Sequence, residues 1–299
     1  MRLRLLALLP LLALLLAGCA SPSASAPPPD ELPATLRVGI IPNVAPDSQR
    51  AAYAPFGEDL ARRLGVDVEL FVATNYAGVV TALAAGRVDI AYLGGLTYAE
   101  AERQVPLTPL VTEVDRETHT SRYLSAVVVP AGSAARSVED VVQAGGTFAF
   151  GDPSSTSGSL YPRLMLDAAG ARCSPTMLED CPPLASVRFT GGHDATALAV
   201  AGGRADAGGL ELRVLNRLIS KGGVPADALR VVGTREVMGY PWVGRTALGP
   251  GALDKVRQAF LTLEDPKLLD LLRAERYVTV QPSDYDEVRR EAARLGLLR

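Results

Sequence analysis

The sequence predicts an α/β protein of two lobes that are built alike. Apolar stretches of strand length alternate with stretches of helical periodicity, a pattern typical of sheets covered by helices on both faces. A half-repeat supports two lobes, because segments 88–91 and 205–208 each follow a helix-like stretch and a Gly-Arg step. About 265 residues follow the first 33, enough for two lobes of ordinary domain size.

The N-terminal residues predict export. Residues 1–4 carry two arginines, and residues 5–16 are almost purely Leu, Ala and Pro, an apolar run too short to span a membrane as a mature helix. We interpret residues 1–18 as a signal peptide. Cys19 directly follows small residues, as in a lipobox, so we expect it to be lipidated; the alternative is an ordinary signal peptide followed by a chance cysteine. Residues 19–35 are rich in Ser, Pro and Ala, which predicts a disordered tether.

Strand and helix patterns alternate through the first part of the folded region. The predicted strands are 36–41, 66–72, 88–93 and 107–111. The predicted helices are 49–64, 76–84 and 97–102. The first of these helices carries its apolar residues on one face, as a helix packed on a sheet should.

A second series of strands and helices follows. Its predicted strands are 123–129, 147–150, 187–189 and 229–232. Its predicted helices are 159–169 and 195–201, with a further helix start at 137–140. Three amphipathic helices, expected to pack back on the first lobe, are 254–263, 266–272 and 283–295. The apolar run 127–129 is typical of a strand that is buried on both faces.

A run of hydroxyl residues lies between strand 147–150 and helix 159–169. Residues 151–158 read Gly-Asp-Pro-Ser-Ser-Thr-Ser-Gly. The first turn of a helix has unpaired N–H groups and partial positive charge, and the hydroxyls of Ser155, Thr156 and Ser157 add further donors. Such a turn can hold a small tetrahedral oxyanion, whereas the alternative is a plain N-cap.

Composition argues against several classes of function. Without the signal peptide, 28 basic and 33 acidic residues remain, a net charge of −5, which does not indicate a nucleic-acid partner. The chain has two histidines and no second cysteine pair, so neither a metal centre nor a cofactor is expected. Cys173 and Cys181 predict a disulfide formed in an oxidising compartment. The chain has no Gly-x-Ser-x-Gly elbow and no Ser-x-x-Lys motif, so we do not expect an enzyme.

Four segments resemble, in the same order, those of the periplasmic substrate-binding proteins of phosphate, phosphite and phosphonate ABC importers. They are Asn-Tyr-Ala-Gly-Val (75–79), Asp-Ile-Ala-Tyr-Leu-Gly (89–94), the run 151–158, and Gly-His-Asp-Ala-Thr-Ala-Leu-Ala-Val-Ala (192–201). The resemblance implies a type II periplasmic-binding-protein fold, with a mostly parallel sheet in each lobe and the ligand cleft between the lobes. The lobes implied are 36–128 with 238–299, and 129–237, joined by hinges near 127–130 and 237–243.

The resemblance also implies a set of ligand-binding residues. They are Ser155, Thr156, Ser157, His193, Tyr76, Gly95, Glu211 and Tyr240. The hydroxyl residues should hold the oxyanion, and His193 should donate to it and bind it better when protonated. Tyr76 and the turn containing Gly95 should close over it from the other lobe.

The implied function is capture of a ligand by a monomeric, lipid-anchored protein of the cell envelope and its delivery to an ABC permease. Members of the family that bind aminoalkylphosphonates place carboxylates in the cleft, and here Glu211 is the plausible one. The ligand therefore stays open between an amino-bearing phosphonate and a smaller oxyanion such as phosphate, phosphite or methylphosphonate. The alternatives are a ligand-sensing lipoprotein that signals to a membrane sensor and a binder of a different small organic anion.

Overall fold

The computed structural model describes residues 31–298, and its first elements alternate strand and helix as predicted. The strands are β1 (Thr35–Ile40), β2 (Asp67–Val72), β3 (Ile90–Tyr92) and β4 (Leu107–Asp115), and the helices are α1 (Pro46–Leu64), α2 (Tyr76–Ala84) and α3 (Gly95–Ala101). The side chain of Asn75 starts α2 by accepting a hydrogen bond from the N–H of Gly78 (2.9 Å). The end of α1 is set by Gly65, whose φ of 69° is a conformation that glycine adopts without strain.

The second series of elements forms the other lobe. Its strands are β5 (Arg122–Pro130), β6 (Thr147–Phe150), β7 (Ser186–Phe189), β8 (Ala207–Glu211) and β9 (Leu229–Met238). Its helices are α4 (Val138–Ala144), α5 (Tyr161–Ala168), α6 (His193–Ala201) and α7 (Leu212–Ser220), and a π-helical turn (Thr156–Leu160) precedes α5. The predicted disulfide between Cys173 and Cys181 is present in the loop between α5 and β7.

The last elements return to the first lobe, as predicted for the C-terminal helices. They are β10 (Trp242–Arg245), α8 (Pro250–Leu261), α9 (Pro266–Leu271), β11 (Ala274–Thr279) and α10 (Asp286–Arg294). Both β10 and β11 pair with β4, so the C-terminal segment completes the sheet that the N-terminal segment begins.

The strands form one sheet in each lobe. The strand order is β11-β4-β10-β3-β1-β2 in the first lobe and β7-β6-β8-β5-β9 in the second. In the first sheet β1 runs parallel to β2 and β3, whereas β10 and β11 pair antiparallel. In the second sheet β6 runs parallel to β7 and β8, whereas β5 is antiparallel to β8 and β9. The two-lobed α/β architecture agrees with the prediction, but the sheets are mixed rather than mostly parallel, because the strands next to the lobe crossings run antiparallel to their neighbours.

The chain passes between the lobes at residues 116–121, after β4, and at residues 239–241, before β10. The second crossing lies inside the predicted hinge at 237–243. The predicted first hinge at 127–130 and the lobe boundary after residue 128 fall inside β5, which pairs along its length with β9. The apolar run 127–129 belongs to the interior of the second lobe and not to a connection.

The central strand β5 separates two layers of core in the second lobe. Val127 and Val129 pack with Phe148 on one face, and Ala126 and Val128 face the other layer. All five side chains are fully buried. Strand residues alternate between the two faces of a sheet, so a strand with helices on both sides needs an unbroken apolar run.

An aromatic cluster forms the core of the first lobe. The Trp242 ring lies with its centroid 5.3 Å from that of Phe56, 4.7 Å from Phe260 and 5.1 Å from Tyr92. Tyr92 in turn stacks on Tyr240, with ring centroids 5.0 Å apart. The packing therefore extends from the core of the first lobe to the place where the two lobes meet.

Candidate functional site

The lobes are closed on each other around the hydroxyl run. The N–H of Leu96, in the first lobe, donates to Oγ1 of Thr156 (2.9 Å), and Oγ1 of Thr97 donates to the carbonyl of Ser154 (2.9 Å). On the other side of the cleft the N–H of Ala45 donates to the Asp194 carboxylate (3.1 Å). These bonds place the hydroxyl run of the second lobe at the interface between the lobes.

Each of the three hydroxyls of Ser155, Thr156 and Ser157 accepts a hydrogen bond from a protein donor. The N–H of Gly158 donates to Ser155 Oγ (3.0 Å), and Tyr123 Oη donates to Ser157 Oγ (3.2 Å), while Thr156 accepts from the first lobe. A hydroxyl that accepts one bond retains its own hydrogen to donate. The three side chains are almost completely buried, so their hydrogens point into the protein and not into bulk water.

The run forms a π-helical turn and not an ordinary helix start. The N–H groups of both Ser159 and Leu160 donate to the carbonyl of Ser155 (3.1 and 3.0 Å). Thr156 and Ser157 lie in the first turn, where backbone N–H groups have no acceptor within the helix. Turns of this kind are frequent at functional sites. The arrangement offers backbone and side-chain donors from adjacent residues to one small acceptor.

His193 starts α6 and lies against the same turn. A Cβ atom added to Gly158 would lie 3.1 Å from His193 Cε1 and 2.9 Å from Ser155 Oγ, so the missing side chain of this glycine permits the contact. The N–H of Glu211 donates to His193 Nδ1 (3.2 Å). A neutral imidazole that accepts at Nδ1 carries its hydrogen on Nε2. Nε2 is buried and has no hydrogen-bond partner within residues 31–298, so it is a donor without an acceptor.

The His193 imidazole is neutral in this environment. Burial lowers its pKa to about 4, although the Glu211 carboxylate acts in the opposite direction. The sequence-based expectation was that the protonated form would serve the anion. The structure differs from this expectation in two ways. Burial disfavours the charged ring, and Nδ1 accepts a hydrogen bond and therefore carries no proton.

Tyr76 reaches the site from the first lobe, as expected. Its N–H donates to the carboxylate of Asp152 (3.2 Å), which also accepts from the N–H of Ser154 (2.8 Å). Its hydroxyl is buried without a hydrogen-bond partner in the described part of the chain. Burial, together with the nearby Asp152 charge, raises the pKa of Tyr76 well above its usual value, so the hydroxyl keeps its proton.

Of the two glycines in the predicted closing turn, Gly94 and not Gly95 faces the hydroxyl run. A Cβ atom on Gly94 would lie 2.8 Å from Thr156 Oγ1, whereas one on Gly95 would meet Val288 of α10 at 3.2 Å. Any side chain at position 94 would displace the Thr156 hydroxyl. Gly95 begins α3 and packs against α10 instead.

Glu211 and Tyr240 belong to a buried ionic cluster beside His193. Glu211 Oε2 accepts from the Tyr240 hydroxyl (2.6 Å) and lies 3.7 Å from His193 Nε2. Its Oε1 accepts from Arg213 Nε (2.7 Å) and lies 3.6 Å from Arg273 Nε. Burial alone would raise the pKa of Glu211, but Arg213 and Arg273 outweigh burial and hold it well below the usual value. Glu211 is therefore an ionised carboxylate that accepts one hydrogen bond at each oxygen.

The cluster joins the two lobes. Arg213 Nη1 bonds to Glu113 (3.1 Å) and Asp115 (2.8 Å) at the end of β4, in the first lobe. Its guanidinium also lies over the ring of Tyr123, 4.4 Å from the centroid. The cluster holds Glu211 in position relative to His193, while Arg213 Nη2 and Arg273 Nε and Nη2 are buried without a hydrogen-bond partner among the described residues.

Sequence reasoning missed four residues of this site, namely Tyr92, Tyr123, Arg213 and Arg273. The Tyr92 hydroxyl is buried and, among residues 31–298, without a hydrogen-bond partner. Within the same residues no group of His, Cys, Asp and Glu side chains could hold a metal ion, and no helix is long and apolar enough to cross a membrane. Cys19 and the signal peptide lie outside the described residues.

Comparisons with known proteins show the family to which the chain belongs. A family model described as "ABC transporter, phosphonate, periplasmic substrate-binding protein" matches residues 38–285. The phosphate-import protein PhnD of Mycolicibacterium smegmatis is 31% identical over 278 residues, covering 86% of this chain and 84% of the relative. The probable ABC transporter phosphite-binding protein PhnD1 of Prochlorococcus marinus is 25% identical over 281 residues, covering 89% and 92% of the two chains.

The fold is that of solved binding proteins. The structure of PhnD1 from Prochlorococcus marinus in complex with methylphosphonate superposes with a TM-score of 0.77 at 24% identity, covering 89% of this chain and 100% of that one. The type II periplasmic-binding-protein fold predicted from the sequence is thereby confirmed. Family members are transporter components, which agrees with the prediction that the chain is not an enzyme. The chain belongs to the family of periplasmic substrate-binding proteins of phosphonate ABC transporters.

Proposed function

We propose that this protein binds a phosphorus oxyanion, either a small phosphonate, phosphite or phosphate, in the cleft between its lobes. The observation that carries the proposal is a set of buried donor groups where the lobes meet. The Tyr76 hydroxyl and His193 Nε2 have no hydrogen-bond partner among the described residues, and the hydroxyls of Ser155, Thr156 and Ser157 each accept one bond and keep a hydrogen to donate. Buried donors without acceptors are costly, and a multiply charged oxyanion would satisfy several of them at once.

The names of relatives support this ligand class. The Mycolicibacterium relative is named for phosphate import, and the Prochlorococcus relative for phosphite binding. The donors of this chain suit the oxygens that phosphate, phosphite and phosphonates share. No lysine or arginine is needed to contact the anion directly, because charge-assisted bonds from neutral donors are themselves strong.

Closure and delivery complete the proposed cycle. An oxyanion docks on the hydroxyl run, the first lobe closes through Leu96, Thr97 and Tyr76, and the closed form docks on an ABC permease. The motion is a hinge at residues 116–121 and 239–241, where the chain crosses between the sheets.

A thermal-shift panel tests the ligand class. Residues 20–299, which contain both lobes, are heated with millimolar phosphate, phosphite, methylphosphonate and, for comparison, unrelated small anions. A ligand at 100 times its dissociation constant adds about 2.7 kcal/mol, which raises the melting temperature of a chain of this size by several degrees. A shift with the unrelated anions and none with the phosphorus oxyanions would contradict the proposal.

We also propose that Cys19 carries a lipid that anchors the protein to the cell envelope. The support is the run Leu-Ala-Gly-Cys at residues 16–19. In detergent phase partitioning of cells, the wild-type protein should enter the detergent phase and Cys19→Ala should leave it or remain unprocessed. Equal partitioning of the two proteins would refute the anchor without affecting the ligand proposal.

A further inference from the structure

Helix α10 is attached to α3, the helix of the first lobe that closes on the hydroxyl turn. A Cβ atom added to Gly95, the first residue of α3, would lie 3.2 Å from the side chain of Val288 in α10. Arg289 of α10 donates to the carboxylate of Glu102, which directly follows α3 (2.7 Å). Since Leu96 of α3 bonds to the hydroxyl turn, α10 is fixed to the part of the first lobe that meets the second.

The same helix forms ion pairs with the second lobe. Arg294 Nη1 lies 2.9 Å from Asp167 Oδ2 at the end of α5. Glu287 Oε1 lies 3.5 Å from Arg235 Nη2 in β9. All four side chains are more than a third exposed, so these pairs join the lobes near the surface and not within the buried donor set.

Apolar contacts also join α10 and the segment after it to the second lobe. Leu160 and Tyr161, at the end of the hydroxyl turn, are fully buried in the same apolar cluster as Val288. After the helix, a Cβ atom on Gly296 would lie 2.8 Å from Pro175 in the loop that carries the disulfide. Separation of the lobes would break the ion pairs and bring apolar surface into water, so these contacts favour the closed form.

Resting on the proposed function, we propose that α10 is a latch for the closed form. Arg294 and Glu287 act as positioning residues, through Asp167 and Arg235, and set how tightly the oxyanion is held without contacting it. A contact made only in the closed form raises the population of that form, and the ligand binds best to the same form. Removal of the contact should therefore weaken ligand binding.

Reversal of the charge at Asp167 tests the latch. Asp167→Lys places two cations against each other in the closed form, so calorimetry with the tightest-binding phosphorus oxyanion should give about three- to tenfold weaker binding at about 0.01 M salt. The difference from wild type should shrink at about 1 M salt, where charges are screened. Asp167→Asn, which removes the attraction alone, should bind about two- to fivefold more weakly. The double variant Asp167→Lys/Arg294→Glu restores opposite charges and should regain most of the affinity.

A matched control separates the latch from the change in net charge. Asp254→Lys makes the same charge change in α8, where Asp254 pairs with Arg257 of its own helix (2.8 Å). It should bind the oxyanion at least as tightly as wild type, because a more positive protein attracts an anion. Equal affinities of Asp167→Lys and wild type, or no recovery in the double variant, would overturn the latch alone. If no phosphorus oxyanion binds the wild-type protein, the proposed function itself fails.

Discussion

The direction of hydrogen bonding at Ser155, Thr156 and Ser157 determines what these residues can bind. Each oxygen already accepts a bond from the protein, so each hydroxyl presents a hydrogen. The same holds for His193, whose Nδ1 accepts and whose Nε2 therefore donates. Four neighbouring buried side chains can thus donate hydrogen bonds, which favours a ligand with several unprotonated oxygens.

Removal of the Ser157 hydroxyl should weaken ligand binding and should also lower the stability of the free protein by about 1 kcal/mol or more, because Tyr123 Oη loses its acceptor. Ser157→Ala deletes a donor to a charged acceptor, worth about 1.5–3 kcal/mol, so affinity for the tightest-binding phosphorus oxyanion should fall about tenfold or more. Calorimetry measures the affinity, and thermal unfolding measures the stability of the free protein.

A serine with a purely structural role provides the control. Ser137 caps α4 in a capping box with Asp140, away from the cleft. Ser137→Ala should lower stability by about 1 kcal/mol and leave affinity unchanged. The oxyanion site would be contradicted if Ser157→Ala kept wild-type affinity.

His193 should make the folded protein less stable in acid. Its pKa is about 4 in the folded protein, below the value of about 6.5 expected in the unfolded chain, so between these values the unfolded state binds more protons. Stability from this group is therefore full above about pH 6.5 and is lost as pH falls toward 4, by about 3 kcal/mol. Urea unfolding of the wild type and of His193→Gln at pH 4.5 and 7 measures the effect. A wild-type loss no larger than that of the variant would show that the imidazole is not buried in its neutral form.

At the scale of elements, the closing surface is formed by α3 and the hydroxyl turn. The second residue of α3, Leu96, reaches the Thr156 hydroxyl, and Thr97 reaches the carbonyl of Ser154. Further along the same helix, the half-buried Glu100 faces Ser154 and Asp152. Burial raises the pKa of Glu100 to about 7, although a hydrogen bond with Ser154 opposes this. Closure of the lobes therefore places the Glu100 carboxyl in surroundings that favour its protonated, neutral form.

This acid predicts a pH-dependent contribution to affinity. Because the pKa of Glu100 is raised in the closed form, its contribution to closure is complete below about pH 4.5, the ordinary pKa of a glutamate. The contribution is lost as pH rises through about 7. Glu100→Gln, which is neutral at every pH, should bind the same ligand about tenfold more tightly than wild type at pH 8, a figure reduced for partial exposure. At pH 5 the two proteins should bind about equally. The comparison at each pH cancels the ionisation of the ligand, and an identical ratio at both pH values would refute the effect.

Elements whose residues are close in sequence were well predicted, and contacts between distant elements were not. The strand-turn-helix unit around Ser155 could be predicted because its turn residues, hydroxyls and apolar flanks are contiguous. The contact of Arg213 with Glu113 joins residues that are far apart in the chain, and no local pattern indicates it. The first crossing was misplaced for a related reason, since the apolar run 127–129 in β5 does not reveal which sheet the strand joins.

For the whole molecule, the two crossings and the buried ionic cluster lie at the same side of the cleft. Glu113 and Asp115 end β4 directly before the first crossing, and Tyr240 lies in the second. Arg213 ties these residues to Glu211 of the second lobe. The lobes are therefore joined by buried ions beside the crossings. They are also joined by hydrogen bonds to the hydroxyl turn and by more exposed ion pairs of α10 with Asp167 and Arg235.

The most direct test of the account is a crystal structure of the protein with methylphosphonate. The account predicts that the phosphonate oxygens lie within hydrogen-bond distance, about 2.5–3.2 Å, of the hydroxyls of Ser155, Thr156 and Ser157 and of His193 Nε2. A phosphonate bound outside the cleft, or one whose oxygens contact none of the three hydroxyls, would contradict the central claim.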